Sequence, residues 1–479
     1  MALWHLVYVL PMFLGICTLF PTLVFIEIMQ KSFSTNNQFY TGIFQTATNL
    51  ITFFGSPMIG KLSDRIGRNI PLAITMALQP AFMILLSYTN SMSLLLILTL
   101  GAVTTGISAS FVVVVQSYII DKSDPENKMR NLGIMYALIA FSFLLAASIG
   151  AGLGKHYGVV EAHKLPQEEF EQVVGDYTLL LRYIGFSLSA IALVISLSLP
   201  GFPSDNKKID TKAESTDISL FEGINYMRTA DPIIKQLALL NALRVAVYHP
   251  VTANYTTYVQ LRFGKMNPPY FVTLAVMGTM GILGNLTVKY NSKRIGETNL
   301  VVIGFLAYAL ADVLFGIISK SLYILLFLPS SFTFFSIVTN TLLDSITSSC
   351  VSSNDQGLVM GSMSQCRALT SFFLTVPAGY LFTVVDVAGA EYKEANNAED
   401  AYFLGFPFLL FSIPGFFGAW FSWHVLDSIN GDGVRSSTAN EQDYYEKLDD
   451  GADAEIEDSE KSAIAMMVGS RSSSFIEMM

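Results

Sequence analysis

Long apolar stretches separated by short polar segments run along most of the chain. A helix that crosses the hydrocarbon core of a bilayer needs about 20 mostly apolar residues, and twelve stretches have this character. They are residues 5–29, 39–60, 69–88, 93–119, 131–154, 178–200, 234–260, 269–288, 298–318, 321–344, 359–385 and 402–425. The seventh has the weakest signal, because it contains Asn241, Arg244, His249 and Asn254. The pattern predicts an all-α membrane protein with twelve transmembrane helices.

A polar segment divides these helices into two groups of six. Residues 201–232 form this cytosolic central loop, between an N-terminal six-helix bundle (1–200) and a C-terminal one (233–428). The last segment, 429–479, is acidic, rich in Ser and without apolar periodicity, so we expect it to be a disordered cytosolic tail. The predicted architecture is two six-helix bundles around a central cavity.

The two groups of six helices also contain a similar sequence segment. Gly60–Arg68 reads GKLSDRIGR after the second helix, and Gly284–Glu297 reads GNLTVKYNSKRIGE after the eighth. The second copy keeps the Gly, the Leu and the RIG triplet but lacks the Asp. Many transporters build a central site between two repeated halves in this way.

Composition agrees with a membrane protein. Hydrophobic residues make up 52% of the chain and charged residues only 14%, against about 25% charged residues in soluble proteins. The mean hydropathy is +0.48. Cys17, Cys350 and Cys366 have no spacing that predicts a disulfide or a metal site. We therefore expect no metal and no cofactor.

The net charge of −10 belongs mostly to the tail. From Asp427 onward there are thirteen acidic residues and four basic ones, while the rest of the chain is nearly balanced. The acidity therefore says nothing about the charge of a substrate. A nucleic-acid partner is not expected, since no basic stripe exists to neutralise phosphates.

Lys and Arg in the loops predict the orientation. Cytosolic loops carry an excess of these residues. The richer side holds Lys61, Arg65, Arg68, Lys122, Lys128, Arg130, Lys207, Lys208, Lys212, Arg228, Lys289, Lys293 and Arg294. Both termini then lie in the cytosol. This orientation is compatible with the plasma membrane and with endosomal, lysosomal or vacuolar membranes. In the tail, Tyr445-Glu446-Lys447-Leu448 fits a Tyr-x-x-apolar pattern read by sorting adaptors, and the alternative is a solvated tail.

The most specific motif is the loop between helices two and three, Gly60-Lys61-Leu62-Ser63-Asp64-Arg65-Ile66-Gly67-Arg68. It resembles the signature loop of the major facilitator superfamily, Gly-x-Leu-x-Asp-Arg-x-Gly-Arg, at every fixed position. Ser117–Asp121 and Pro377–Tyr380 also resemble family segments. The nearest branch is the tetracycline-resistance-like group, which includes the orphan transporters named hippocampus-abundant transcript. One departure is Ala146-Ala147, where antiporters of this type usually carry Gly-Pro.

The resemblance implies a gating role for the loop. Asp64 would sit against the N-terminus of helix eleven in the outward-open state, where a carboxylate stabilises the helix. The alternative is that these charges only fix topology. The gating residues implied are Gly60, Asp64, Arg65, Gly67, Arg68, Asp121 and Arg130.

Helix seven carries the best candidate for a substrate site. At about 100° per residue, one face presents Asn241, Arg244, Tyr248, Thr252 and Tyr255. A buried Arg in hydrocarbon is expensive, so this face should line a cavity, where Arg244 would favour an anionic group. The alternative is a hydrogen-bonded seam between helices. Helix two adds Gln45 and Asn49 to the candidate cavity.

Glu27 and Asp312 are the candidates for proton coupling. Coupling needs a group inside the protein whose charge can change, and these carboxyls, with Arg367, are the other ionisable residues within helices. The alternative for each carboxyl is a structural partnership.

The leading hypothesis is a secondary active transporter of a small organic solute that works by alternating access, with or without protons. The alternative is a non-transporting membrane sensor or trafficking scaffold that acts through its tail. An enzyme is not expected, because only His249 of five histidines lies deep in a span.

Overall fold

Within the described residues, a helix lies in each of the twelve predicted spans. The computed structural model describes residues 3–33, 37–89, 91–159, 162–200, 221–263, 268–318, 326–351, 355–396 and 405–431. Within these ranges the chain is helical with short connections and contains no strand. The prediction of an all-α membrane fold is confirmed.

The first six helices follow the predicted order. A short 3-10 helix, Leu3–Val9, leads into them. They are α1 (Leu10–Phe33), α2 (Asn37–Ile66), α3 (Asn69–Leu78 and Ala81–Leu86), α4 (Leu94–Ser108 and Phe111–Asp121), α5 (Lys128–His156) and α6 (Gln167–Ser198). The break in α3 falls at Pro80, because proline has no N–H to donate. Ser93 caps α4, accepting a hydrogen bond from the amide of Leu96 at 3.3 Å.

The second six helices repeat this arrangement. They are α7 (Pro232–Phe263), α8 (Pro268–Leu286), α9 (Glu297–Ile317), α10 (Phe327–Ser331, Thr333–Ser336 and Val338–Ser349), α11 (Gln356–Asn396) and α12 (Phe406–Gly431). Two short helices lie in loops, Glu222–Thr229 before α7 and Val288–Ile295 after α8. The first of them occupies part of the predicted central loop.

Eight helices of the described residues are long and apolar enough to cross a membrane. They are His5–Phe33, Asn69–Leu86, Leu94–Asp121, Lys128–His156, Gln167–Ser198, Glu297–Ile317, Gln356–Val385 and Phe406–Leu426. Ala275–Leu286 is a shorter apolar helix. The predicted spans 39–60, 234–260 and 269–288, and the described part of 321–344, also coincide with helices but carry more polar residues or shorter apolar stretches.

Packing places α2 against α11 and α5 against α8. The residues up to Trp423 form one compact unit, and His424–Met479 form a second. The predicted boundaries at 200, 232 and 428 stay a prediction. Most of the predicted disordered tail, including Tyr445–Leu448, lies outside the described residues. We call the end of the bundle that carries the loop 60–69 the signature face.

Candidate functional site

At the signature face, the backbones of α2 and α11 touch through two glycines. A Cβ added to Gly60 would collide with the carbonyl oxygen of Gly357, and a Cβ added to Gly357 would lie 2.6 Å from the carbonyl oxygen of Gly60. Gly67 then ends α2 with a φ of +89°, a conformation that glycine adopts without strain. The three glycines therefore allow both the close approach and the tight turn into α3.

This approach brings Asp64 onto the N-terminus of α11. The amide of Gly357 donates to Oδ1 of Asp64 at 3.1 Å, and the amide of Leu358 donates to Oδ2 at 2.9 Å. The first amides of a helix have no partner within the helix, and the helix dipole favours a negative charge beside them. The structure thus places Asp64 where the family resemblance puts it.

Arg68 ties this carboxylate to α4. Its Nη1 lies 2.5 Å from Oδ1 of Asp64, and its Nε and Nη2 lie 3.0 and 2.9 Å from Oδ2 of Asp121. Arg68 is only 4% exposed and also donates to Ser63 Oγ at 2.6 Å. We call Asp64, Arg68 and Asp121 the signature cluster.

The other two predicted gating charges lie elsewhere. Arg65 and Arg130 are exposed. Arg65 follows Asp64 directly, so its side chain points about 100° away around the helix. Their charges are therefore at the surface and are not part of the buried cluster.

A buried carboxylate, that of Asp344, joins the two halves of the protein. It lies one to three helical turns from the signature face. Asp344 of α10 is fully buried. Its Oδ2 accepts hydrogen bonds from Gln116 Nε2 of α4, at 2.8 Å, and from the Tyr136 hydroxyl of α5. Both donors belong to the first six helices and the acceptor to the second six, so these bonds cross between them.

Two arginines from the second six helices lie beside this carboxylate. Arg367 of α11 places Nη1 at 3.5 Å from Asp344 Oδ1. Arg244 of α7 donates from Nη1 to the Asn340 side-chain oxygen, and it is 5% exposed. We call these side chains the central cluster; its members are Gln116, Tyr136, Arg244, Asn340, Asp344 and Arg367.

Three of the predicted cavity residues lie outside the central cluster. Gln45 and Asn49 are partly buried on α2, and Asn49 Nδ2 has no hydrogen-bond partner among the described residues. Asn241 is fully buried and donates to the Leu237 carbonyl of its own helix at 3.1 Å.

The rest of the predicted helix-seven face is only partly described. Tyr248 is 41% exposed, and its ring packs edge-on against Tyr308 of α9 with centroids 5.8 Å apart. The side chains of Thr252 and Tyr255 lie outside the described residues. Of the predicted cavity residues, Arg244 alone is a member of the central cluster.

The two predicted proton-coupling carboxyls occupy different environments. Glu27 lies at the end of α1 opposite the signature face, where its Oε2 is 2.7 Å from His163 Nδ1 and 2.9 Å from the His163 amide. Asp312 lies on α9 and is 4% exposed, and its Oδ2 has no hydrogen-bond partner among the described residues. Neither belongs to the central cluster.

Tyr136, Asn340 and Asp344 are site residues that the sequence analysis missed. Asp344 is the last residue of the predicted tenth span, and the helix continues to Ser349. The spacing of four between Asn340 and Asp344 places both on one helix face, and this signal was available in the sequence.

Comparison with known proteins agrees with this geometry. The family model described as Major Facilitator Superfamily matches residues 6–375. The quinolone resistance protein NorA of Staphylococcus aureus (strain MRSA252) is 26% identical over 52% of this chain and 56% of its own length. The chain therefore matches little more than half of NorA. The hippocampus abundant transcript 1 protein of Homo sapiens is 22% identical over 77% of this chain and 70% of its own length.

Solved structures share the fold. The human organic anion transporter MFSD10 (TETRAN) superposes with a TM-score of 0.63 at 16% identity, over 88% of this chain and 97% of that one. The proton:xylose symporter XylE superposes with a TM-score of 0.60 at 13% identity, over 88% and 94%. The family model covers most of the chain, so the protein belongs to the Major Facilitator Superfamily and is a multi-pass membrane protein.

Proposed function

We propose that this protein is a secondary active transporter that moves a small organic solute by alternating access, and that the solute binds at the central cluster. The observation that carries the proposal is the bond set of Asp344. A fully buried carboxylate from one half accepts hydrogen bonds from Gln116 and Tyr136 of the other half. These bonds must break when the halves separate at the signature face.

The cluster has the properties of a switch that a ligand can bias. A buried carboxylate that loses its donors is strongly destabilised, so the halves stay together until another group takes over those interactions. A solute does this when it binds one arrangement more tightly than the other. Binding and opening are then the same event.

The signature cluster supplies a second contact that follows the same movement. Asp64 bonds the first amides of α11 and the guanidinium of Arg68. When α2 and α11 separate, these groups enter water, which replaces part of the lost interaction. We propose that this cluster sets the balance between the state closed at the signature face and the state open there.

Orientation and location follow the loop charges. We propose that the signature face and both termini are cytosolic, because the basic loops lie on that side. Plasma membrane and endosomal, lysosomal or vacuolar membranes remain alternatives. Sorting adaptors that bind Tyr445–Leu448 would choose among them.

Asp312 is a better candidate than Glu27 for the group that carries a coupled proton. Asp312 is buried with an unbonded oxygen, whereas Glu27 already bonds His163. The central cluster contains hydrogen-bonding and charged side chains that suit solute binding. We propose no enzymatic reaction for the protein.

A thermal-stability screen tests the binding part of this proposal. The purified full-length protein is heated with pools of sugars, amino acids, nucleosides, organic acids, vitamins and drugs. A ligand present at 100 times its Kd stabilises the folded state by about 2.7 kcal/mol. We expect at least one solute to raise the unfolding temperature of the wild type and to lose this effect in Arg244→Ala.

Arg182→Gln is the matched control. Arg182 is a charged residue of α6 that packs over the Tyr88 ring, 5.7 Å from its centroid, and it lies outside the central cluster. It should keep the ligand response. Each hit is then tested for flux into liposomes. Well-folded protein that neither responds to any pool nor moves any solute would contradict the proposal and favour the sensor or scaffold alternative.

A further inference from the structure

The charges of the central cluster do not balance. The cluster contains two guanidinium groups, Arg244 and Arg367, and one carboxylate, Asp344. Arg244 is 5% exposed and Asp344 is fully buried, so water offsets little of this difference. The charge of Arg367 repels Arg244, and the charge of Asp344, which both arginines share, attracts it. One positive charge in excess is therefore held inside the protein.

The excess charge belongs to Arg244. Asp344 already takes Gln116, Tyr136 and Arg367 as partners. The bonded partner of Arg244 is the neutral side chain of Asn340. Its Nε has no hydrogen-bond partner among the described residues. A guanidinium has five N–H donors, and a buried one without an anionic partner is expensive.

Asp312 does not supply the missing anion. It lies on α9, one turn beyond Tyr308, and its Oδ2 has no hydrogen-bond partner among the described residues. Both side chains are described, and no ion pair joins Asp312 to Arg244. Within the predicted spans the remaining carboxyl, Glu27, lies at the opposite end of α1 and bonds His163.

Two aromatic rings lie near the Arg244 guanidinium. Tyr248 follows Arg244 by one helical turn on α7, and its exposed ring meets Tyr308 edge-on at 5.8 Å. Both rings are close enough to Arg244 to interact with its charge. A ligand anion on Arg244 would therefore have an aromatic surface for its apolar part.

We infer that the transported solute is an organic monoanion, with a carboxylate that bonds Arg244 and an apolar body that packs on Tyr248 and Tyr308. The inference rests on the proposed function and deepens it. A planar guanidinium bonds a carboxylate through two parallel N–H donors. One bound monoanion would neutralise the excess charge of the cluster.

Matched sets of three compounds test the class of solute. Each set has one shape with three charges: a carboxylate, its amide and its amine, as in benzoate, benzamide and benzylamine. Binding to the purified full-length protein is measured by thermal stabilisation across a library of such sets. We expect carboxylates to bind about 10- to 100-fold more tightly than their amides, the range that bonds to a charged partner supply, and amines not to bind.

Variants place the bound carboxylate on Arg244. Arg244→Gln should remove the preference for the carboxylate, Arg244→Lys should retain part of it because the charge remains, and Arg182→Gln should retain it fully. If Arg244→Gln does not fold, the compound series on the wild type and on Arg244→Lys still decides. A library in which no carboxylate binds better than its amide or amine overturns the inference, as does an undiminished preference in Arg244→Gln.

The outcomes separate this inference from the proposed function. Flux of a neutral or cationic solute, without carboxylate preference, would keep the transporter and reject the anion. Carboxylate binding that depends on Arg244, without flux in liposomes, would keep the anion site and reject the transporter.

Discussion

The signature face is closed at two junctions that have the same position in the two halves but different chemistry. At the first, α2 meets α11 through Gly60 and Gly357, and Asp64 bonds the amides at the start of α11. At the second, α8 meets α5. A Cβ added to Gly133 of α5 would lie 2.5 Å from the Asn285 carbonyl oxygen. Close backbone contact through glycine is thus common to both.

The difference lies in the residue four positions after the repeated glycine. It is Asp64 in the first copy and Val288 in the second. Val288 is fully buried, and the same added Cβ on Gly133 would lie 2.8 Å from its Cγ1. The polar contacts there are neutral or weak: Lys289 Nζ to Asn127 Oδ1 at 3.3 Å and Ser292 Oγ to Met129 Sδ at 3.1 Å.

The two junctions differ in what their separation exposes to water. Separation of the first junction transfers charges from the protein into water, which solvates them, so the open state is accessible. Separation of the second exposes a valine, for which water offers no compensation. Both junctions therefore favour the closed state, and we expect substitutions at the charged junction, where an ion pair is broken, to move the balance between states the most.

The largest effect is expected from Asp64→Val, which copies the residue of the second junction into the first. Arg68 loses one of its two carboxylates, and the amides of Gly357 and Leu358 lose their acceptor. Breaking a buried pair in this way costs about 3 kcal/mol, so the closed state should fall by more than about 100-fold relative to the open state. Spin-label distances across the signature face measure the shift.

Asp64→Asn is the milder partner of this variant. It keeps an oxygen for one amide but removes the charge, and we expect a shift of about 1–2 kcal/mol in the same direction. Equal populations of the closed and open states in wild type, Asp64→Asn and Asp64→Val would show that the charges of the loop only fix membrane topology.

An intermediate effect is expected from Val288→Ala at the second junction. Removal of two buried methyl groups should lower the free energy of unfolding by about 1–2 kcal/mol. The balance between the closed and open states should move toward the open state, but by less than in Asp64→Val, because apolar burial is reduced and no ion pair is broken. Thermal unfolding measures the first quantity and label distances the second. A population shift as large as that of Asp64→Val would remove the distinction between the junctions.

The smallest effect is expected from Arg65→Gln and Arg130→Gln. Both side chains are exposed, and surface substitutions usually change stability by less than about 0.5 kcal/mol. Unfolding temperature and label distances should match the wild type. A shift comparable to that of Asp64→Asn would show that these charges act in gating after all.

The sequence predicted the helices and the first junction, but only part of the central cluster. Apolar length alone locates twelve helices, and the family resemblance of a continuous motif implied the position of Asp64 beside α11. Arg244 was found because a charge inside an apolar stretch is visible. Asp344 was missed because the helix continues past it through Ser and Thr residues, which end an apolar stretch without ending the helix. The bonds of Asp344 to Gln116 and Tyr136 join distant parts of the chain, and a local sequence pattern does not predict such contacts.

The most direct test of alternating access is the distance between spin labels at two exposed signature-face positions, Ile66 and Tyr290. Cysteines are introduced there in a background in which Cys17, Cys350 and Cys366 are replaced. We predict two distance populations in the wild type, with the longer one enriched in Asp64→Val and enriched less in Val288→Ala. A single distance, identical in all three proteins and unaffected by any bound solute, would contradict a transporter that opens at this face.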